Sequence, residues 1–212
     1  MTFQDLFNQL AIGEFAQISL GDSENGISLE NQKKLLPQIN LGLIELHKRF
    51  FLREKRTRMP VTTHMRFFRI NDPALLKVEK VFDPNDQELK IDLDGNKDSV
   101  FLPEWNVVEV PEELPDGFYT ISYRAKNDPI ETSWLEKLGA DKLALPIPPT
   151  HVYALELFVA SQIMTPMGFD GEMHEGNNYL MKFENACRQL TEKGFRRQME
   201  TEPHSFSQNG WV

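Results

Sequence analysis

The chain has one cysteine, Cys187, among its 212 residues. A single thiol excludes an intramolecular disulfide and suits folding in a reducing compartment. Cys187 falls on the apolar side of a helical pattern, so it reads as a small buried hydrophobe rather than a nucleophile. The five histidines form no H-E-x-x-H, and no cysteine cluster exists to complete a zinc site. Gly168, Gly171 and Gly176 match neither G-x-G-x-x-G nor the G-x-x-x-x-G-K-S/T cradle, and G-x-S-x-G is absent. Residues 83–94 alternate carboxylates in the manner of a calcium loop. Yet the sixth position is Glu88 counted from Asp83, or Lys97 counted from Asp92, where that loop needs glycine to turn. A solvated hairpin is the expectation there. No catalytic constellation, metal site or cofactor follows from these residues, and the chain is not expected to be an enzyme.

Long apolar runs are missing too. Residues 151–164 are the most apolar stretch, but they fall short of the roughly 20 residues that span a bilayer and carry Glu156. They read as a buried helix, with no membrane as partner. The opening MTFQDLFNQLAIGEF lacks the basic start and continuous apolar core of a signal peptide, so no export is expected.

What is present is a globular composition, 40% hydrophobic and 26% charged, with a net charge of −9. One stretch stands out, residues 35–59. Leu35, Ile39, Leu43, Leu46 and Phe50 recur every three or four positions and mark one apolar helix face. The composition then switches. Lys48, Arg49, Arg53, Lys55, Arg56 and Arg58 are opposed by Glu54 alone, a local +5 that leaves −14 for the remainder of the chain. Three roles suit this basic segment: a solvated helix end favoured by the helix dipole, a contact with phosphate backbone, or a contact with an acidic protein surface.

Along the chain, Thr2 should cap a short helix with Phe3, Leu6, Phe7 and Leu10 on its apolar face and Gly13 at its end. Ser28 and Glu30 open the next helix, and Pro37 implies either a kink or a break before a longer helix over residues 37–55. From Met59 the period shortens to two. Strands are expected at residues 62–71, 75–82, 88–93, 99–102, 106–110 and 117–125, with Asp94-Gly95 as a hairpin turn and prolines 73, 84, 103, 111 and 115 between strands. Helices return after Asn127: one capped by Ser133 and ended by Gly139, one over residues 151–164 capped by Thr150, and a long one over residues 177–200. That last helix should bury Leu180, Phe183, Cys187, Leu190 and Phe195. The expected fold class is α+β: a helical bundle formed by N- and C-terminal helices with an inserted antiparallel β region. Its parts are residues 1–58, the N-terminal helices; 59–126, the insertion; 127–200, the C-terminal helices; and 201–212, an extended tail. Phe206 and Trp211 give that tail either the character of a frayed end or that of a segment docking into a partner.

Three stretches together, LFNQLAIGEFAQISL, KLLPQINLGLIELHKRFFLR and THVYALELFVASQIMTPMG, resemble the head-to-tail adaptor (connector) proteins of tailed phages, of the tail tubular protein A type. The resemblance covers both helical blocks, about half of the chain. It implies a structural virion protein at the head–tail junction, synthesised in the host cytoplasm and assembled as a ring, commonly of twelve copies. The implied partners are identical subunits, the portal protein and a tail nozzle or tail tube protein, with genomic DNA passing through during ejection. On that basis Arg53, Lys55, Arg56 and Arg58 are candidate partner or channel contacts, and Phe206 and Trp211 are candidate portal contacts. The rival expectation is a DNA-binding or host-regulatory phage protein that uses residues 48–58.

Overall fold

The computed structural model describes residues 1–13, 15, 21–22, 26–92, 97–164 and 173–194. The chain divides into two compact units, one made of Met1–Gln38 with Ile147–Val212 and the other of Ile39–Pro146.

In the discontinuous unit, α1 (Phe3–Ile12) begins with a capping box in which Thr2 and Asp5 satisfy each other's backbone amides. Phe3, Leu6, Phe7 and Leu10 are all buried, and Gly13 ends the helix. A two-residue ribbon, β1 (Gly21–Asp22) with β2 (Gly26–Ile27), lies against α1. Ser28 then caps α2 (Leu29–Arg49) through the Asn31 amide. This helix runs unbroken through Pro37 and contributes its first part to this unit and the rest to the other. After a 3₁₀ turn at Pro149–His151, α4 (Val152–Met164) packs beside α5 (Met173–Glu192), with the Phe158 and Phe183 rings edge-on at 5.3 Å. Pro148, not Thr150, caps the turn, and the Thr150 hydroxyl bonds instead to Nδ1 of His151. Helix α4 is buried nearly all round, Glu156 included. Cys187 is buried on α5, but Leu180 is exposed, and Phe195 lies outside the described residues.

The continuous unit overturns the expected fold class. It holds a seven-stranded, nearly closed, barrel-like sheet in the order β3-β9-β5-β6-β7-β8-β4, so the chain is a mixed α/β protein dominated by that sheet and not a helical bundle with a small insertion. The strands are β3 (Glu54–Val61), β4 (Phe67–Arg69), β5 (Leu75–Phe82), β6 (Glu88–Asp92), β7 (Ser99–Glu104), β8 (Val107–Glu109) and β9 (Gly117–Ala125). A core of its own, including Met59, Val78, Val81, Val100, Val108, Tyr119 and Ile121, fills the sheet. That core is the physical reason for the correction: the β region buries enough apolar surface to be a folding unit rather than an appendage.

Four local expectations change with it. Helix α2 stops at Arg49, and the residues read as its basic end form β3. Thr57, Met59 and Val61 point inward there while Arg56, Arg58 and Pro60 are exposed, an alternation that the charges disguise. β6 and β7 pair in parallel, Lys90 with Ser99 and Asp92 with Phe101, so these two strands do not form the expected hairpin with each other, and Asp94-Gly95 lies outside the described residues. The tight reversals lie elsewhere, at Asp83–Gln87 between β5 and β6 and at Trp105-Asn106 between β7 and β8. Pro103 sits inside β7, tolerated because the ladder to β8 is irregular between Phe101 and Glu104. Helix α3 (Thr132–Leu138) ends at Gly139 as expected, but its cap position is Glu131.

Candidate interaction surface

Strand β3 carries the basic segment along one edge of the sheet, so the position of each cation follows from the alternation of the strand. Arg53, just ahead of it, donates to the Lys126 carbonyl at 3.1 Å and lies 3.7 Å from the Asp128 carboxylate. Lys55 points inward and donates to Asp72 at 2.8 Å. The same Asp72 oxygen accepts the Tyr123 hydroxyl at 2.7 Å, and the other Asp72 oxygen accepts the Ala74 amide. The Lys55 hydrogen bond, with these further donors, holds the Asp72 carboxyl down at about 2. Burial and the Asp72 charge push the Tyr123 phenol up to about 12. On the exposed face, Arg56 donates to Glu54 at 2.7 Å and lies 5.8 Å above the Phe82 ring. Arg58 is different. Among the described residues it has no hydrogen bond, ion pair or ring contact, and it is exposed.

A clasp fixes the end of the strand. Arg66 donates to the carbonyls of Pro111 and Leu114 and pairs with Asp116 at 2.7 Å, while Thr63 donates to the other Asp116 oxygen through both amide and hydroxyl. The Tyr119 hydroxyl donates to Pro115. Together these bonds hold the turn between β3 and β4 against the loop leading into β9. Pro60 and Arg58 are thereby held opposite Phe118 and Thr120 in register.

Phe118 is 66% exposed. It sits on the polar side of an alternating strand, whose other side buries Tyr119, Ile121 and Tyr123. Toward the opposite edge, Phe67 on β4 is 61% exposed and Trp105 at the tip of the β7–β8 turn is 65% exposed, with Arg69 and Glu104 paired between them in sequence at 2.9 Å. Sequence reasoning passed over all three aromatics. A phenylalanine out of phase with its strand, and a tryptophan in a two-residue turn, are the signals that would have found Phe118 and Trp105.

Of the candidate contacts, then, Arg53, Lys55 and Arg56 are drawn together at β3 but each is already engaged, and Arg58 alone is uncommitted. Phe206 and Trp211 lie outside the described residues. Of the acidic residues 83–94, Asp94 lies outside the described residues, and Asp83 caps its own turn by accepting the amides of Asn85 and Gln87 at 2.8 Å. Among the described residues no group of three or more His, Cys, Asp or Glu side chains is placed to hold a metal ion, and no helix is long and apolar enough to cross a membrane. Within the basic segment the surface offers one guanidinium, Arg58, that has no hydrogen bond, ion pair or ring contact among the described residues, together with exposed aromatic rings and an open strand edge. No protein-family model matches the chain, and no curated protein matches it.

Proposed function

We propose that the chain is a non-catalytic structural protein of a phage virion, a ring-forming head-to-tail adaptor that joins the portal to the tail and extends the DNA channel. The observation that carries this reading is the commitment of the basic segment. Of its six cations, Lys48 and Arg49 pair with Glu45, and Arg53, Lys55 and Arg56 are held by Lys126, Asp128, Asp72 and Glu54, which leaves Arg58, near the exposed Phe118 on an otherwise acidic chain. A duplex binder needs several free cations, because each neutralised phosphate contributes separately to affinity. One free arginine beside an aromatic ring suits a protein interface, where arginine and aromatic anchors dominate. The resemblance of the three helical stretches to tail tubular protein A adaptors supplies the assembly, a ring against a portal above and a tail nozzle or tube below. The helical-bundle fold drawn from that resemblance forms no part of the proposal.

The test is electron imaging of portal complexes isolated with this chain. A ring of its mass below the portal is the expected result, lost in an Arg58→Glu, Phe118→Ser double variant that still melts like the parent. Portal complexes without such a ring overturn the role. Tight duplex binding at low salt, weakening steeply as salt rises, would transfer the function to the DNA-binding alternative.

A further inference from the structure

The free edge of β3 has a definite chemistry. Its ladder to β9 runs without a break from Glu54–Arg124 to Val61–Gly117, and one step earlier the Ala125 amide donates to the Arg53 carbonyl at 3.0 Å. Backbone groups alternate sides along a strand, so residues 53, 55, 57, 59 and 61 direct theirs to β9, and residues 56, 58 and 60 direct theirs away. Thr62 shares the outward parity and spends both its groups on Met65, at 3.2 and 3.0 Å. The next bonded pair of that short ladder would join Pro60 to Phe67, and proline has no N–H to give. The ladder ends there and the barrel stays open. β4 is left in the same condition: the Arg66 carbonyl and the Ile70 amide are bonded to Val110 and Asn106, so residues 67 and 69 face away from β8. Among the described residues, no helix or strand other than β9 packs along β3.

We infer that this edge is a strand-acceptor site, and that its occupant is an extended acidic segment of another protein. A strand laid along β3 bonds to the outward amides and carbonyls of Arg56 and Arg58. In that register its residues directly opposite carry their side chains on the same exposed face as the two guanidiniums. Carboxylates at those alternate positions meet Arg58, which has no hydrogen-bond or ion-pair partner among the described residues, and Arg56, whose partner is Glu54. The positions between them turn to the face that buries Met59 and are apolar. The site therefore selects alternating acidic and apolar residues, with main-chain bonds supplying affinity and the arginines supplying choice. It does not depend on the adaptor role.

The experiment uses the full chain and three labelled probes: a capped seven-residue peptide alternating glutamate and valine, its lysine counterpart, and the glutamate peptide N-methylated at its glutamate amides. The glutamate peptide should bind at least tenfold more tightly than either of the others, and binding should slow amide exchange at Arg56 and Arg58 at least tenfold. Arg58→Pro should abolish binding without moving the melting point, because the N–H it removes is not part of the β9 ladder. Equal binding of the glutamate and lysine peptides, binding that survives N-methylation, or amides of Arg56 and Arg58 already protected in the free chain would overturn the assignment. Protection that grows with protein concentration alone, alongside self-association, assigns the edge to a second copy and overturns the acidic segment as occupant.

Discussion

Neighbouring cations on one strand differ more in role than in chemistry. Lys55 is bound to Asp72, which is shared with Tyr123, whereas the Arg58 side chain has no hydrogen bond, ion pair or ring contact among the described residues. Reversing Lys55 to glutamate puts two carboxylates side by side in a half-buried site and should cost about 2 kcal/mol or more. Arg58→Glu should stay within about 0.5 kcal/mol of the parent in urea denaturation. The Asp72 cluster also fixes a pH profile. Asp72 is depressed from 3.8 to about 2, so its stabilisation is complete above its unfolded value and disappears as pH falls from about 4 toward 2. Tyr123 is raised from 10.0 to about 12, so its contribution is complete below pH 10 and disappears as pH climbs to about 12. Asp72→Asn should lower stability by about 1–3 kcal/mol near neutrality and flatten the acid limb, as urea midpoints across pH would measure.

At the scale of elements, single backbone features set the limits of the sheet. Gly117 opens β9 at φ 152, and a Cβ there would stand 2.6 Å from Cγ of Pro84. Gly117→Ala should therefore cost about 1–3 kcal/mol, read from the thermal midpoint. Pro60→Thr should let the ladder continue from the Thr62–Met65 bridge and slow amide exchange at positions 60 and 67. Its net stability change should be near zero, since a new hydrogen bond of about 1 kcal/mol is offset by the looser unfolded chain. These elements also mark what the sequence could disclose. Leu75–Phe82 and Gly117–Ala125 were legible to the residue, because apolar and polar positions alternate along them and turn residues bound them. β3 was not, because its run of lysine and arginine imitates the favoured end of a helix while only Met59 and Val61 betray the inward face. The parallel partner of β6 was equally hidden, since period two reports a strand but not its neighbour. Arg58 was named from its charge. That Arg53 and Lys55 are spoken for depends on Lys126, Asp128 and Asp72, residues distant in sequence that only the fold brings near. For the whole candidate surface, charge was visible and its availability was not.

The charge imbalance belongs to the molecule as a whole: −9 overall, with the basic segment largely neutralised by contacts within its own unit. The adaptor proposal predicts that deleting residues 201–212 leaves the circular dichroism spectrum and melting point unchanged but abolishes co-purification with the portal. Attachment that survives the deletion would remove Phe206 and Trp211 from the interface. The division of the chain carries a further consequence, for the order of events during synthesis. Ile39–Pro146 is continuous and is complete once residue 146 has emerged, whereas Met1–Gln38 waits for residues from Ile147 onward. At 5–20 residues per second, synthesis through Glu192 keeps Phe3, Leu6, Phe7 and Leu10 without their complete late helices for roughly 9–36 s. A nascent chain stalled once residue 146 has cleared the ribosome should accordingly carry a folded sheet and a sticky amino terminus, the natural handle for a chaperone.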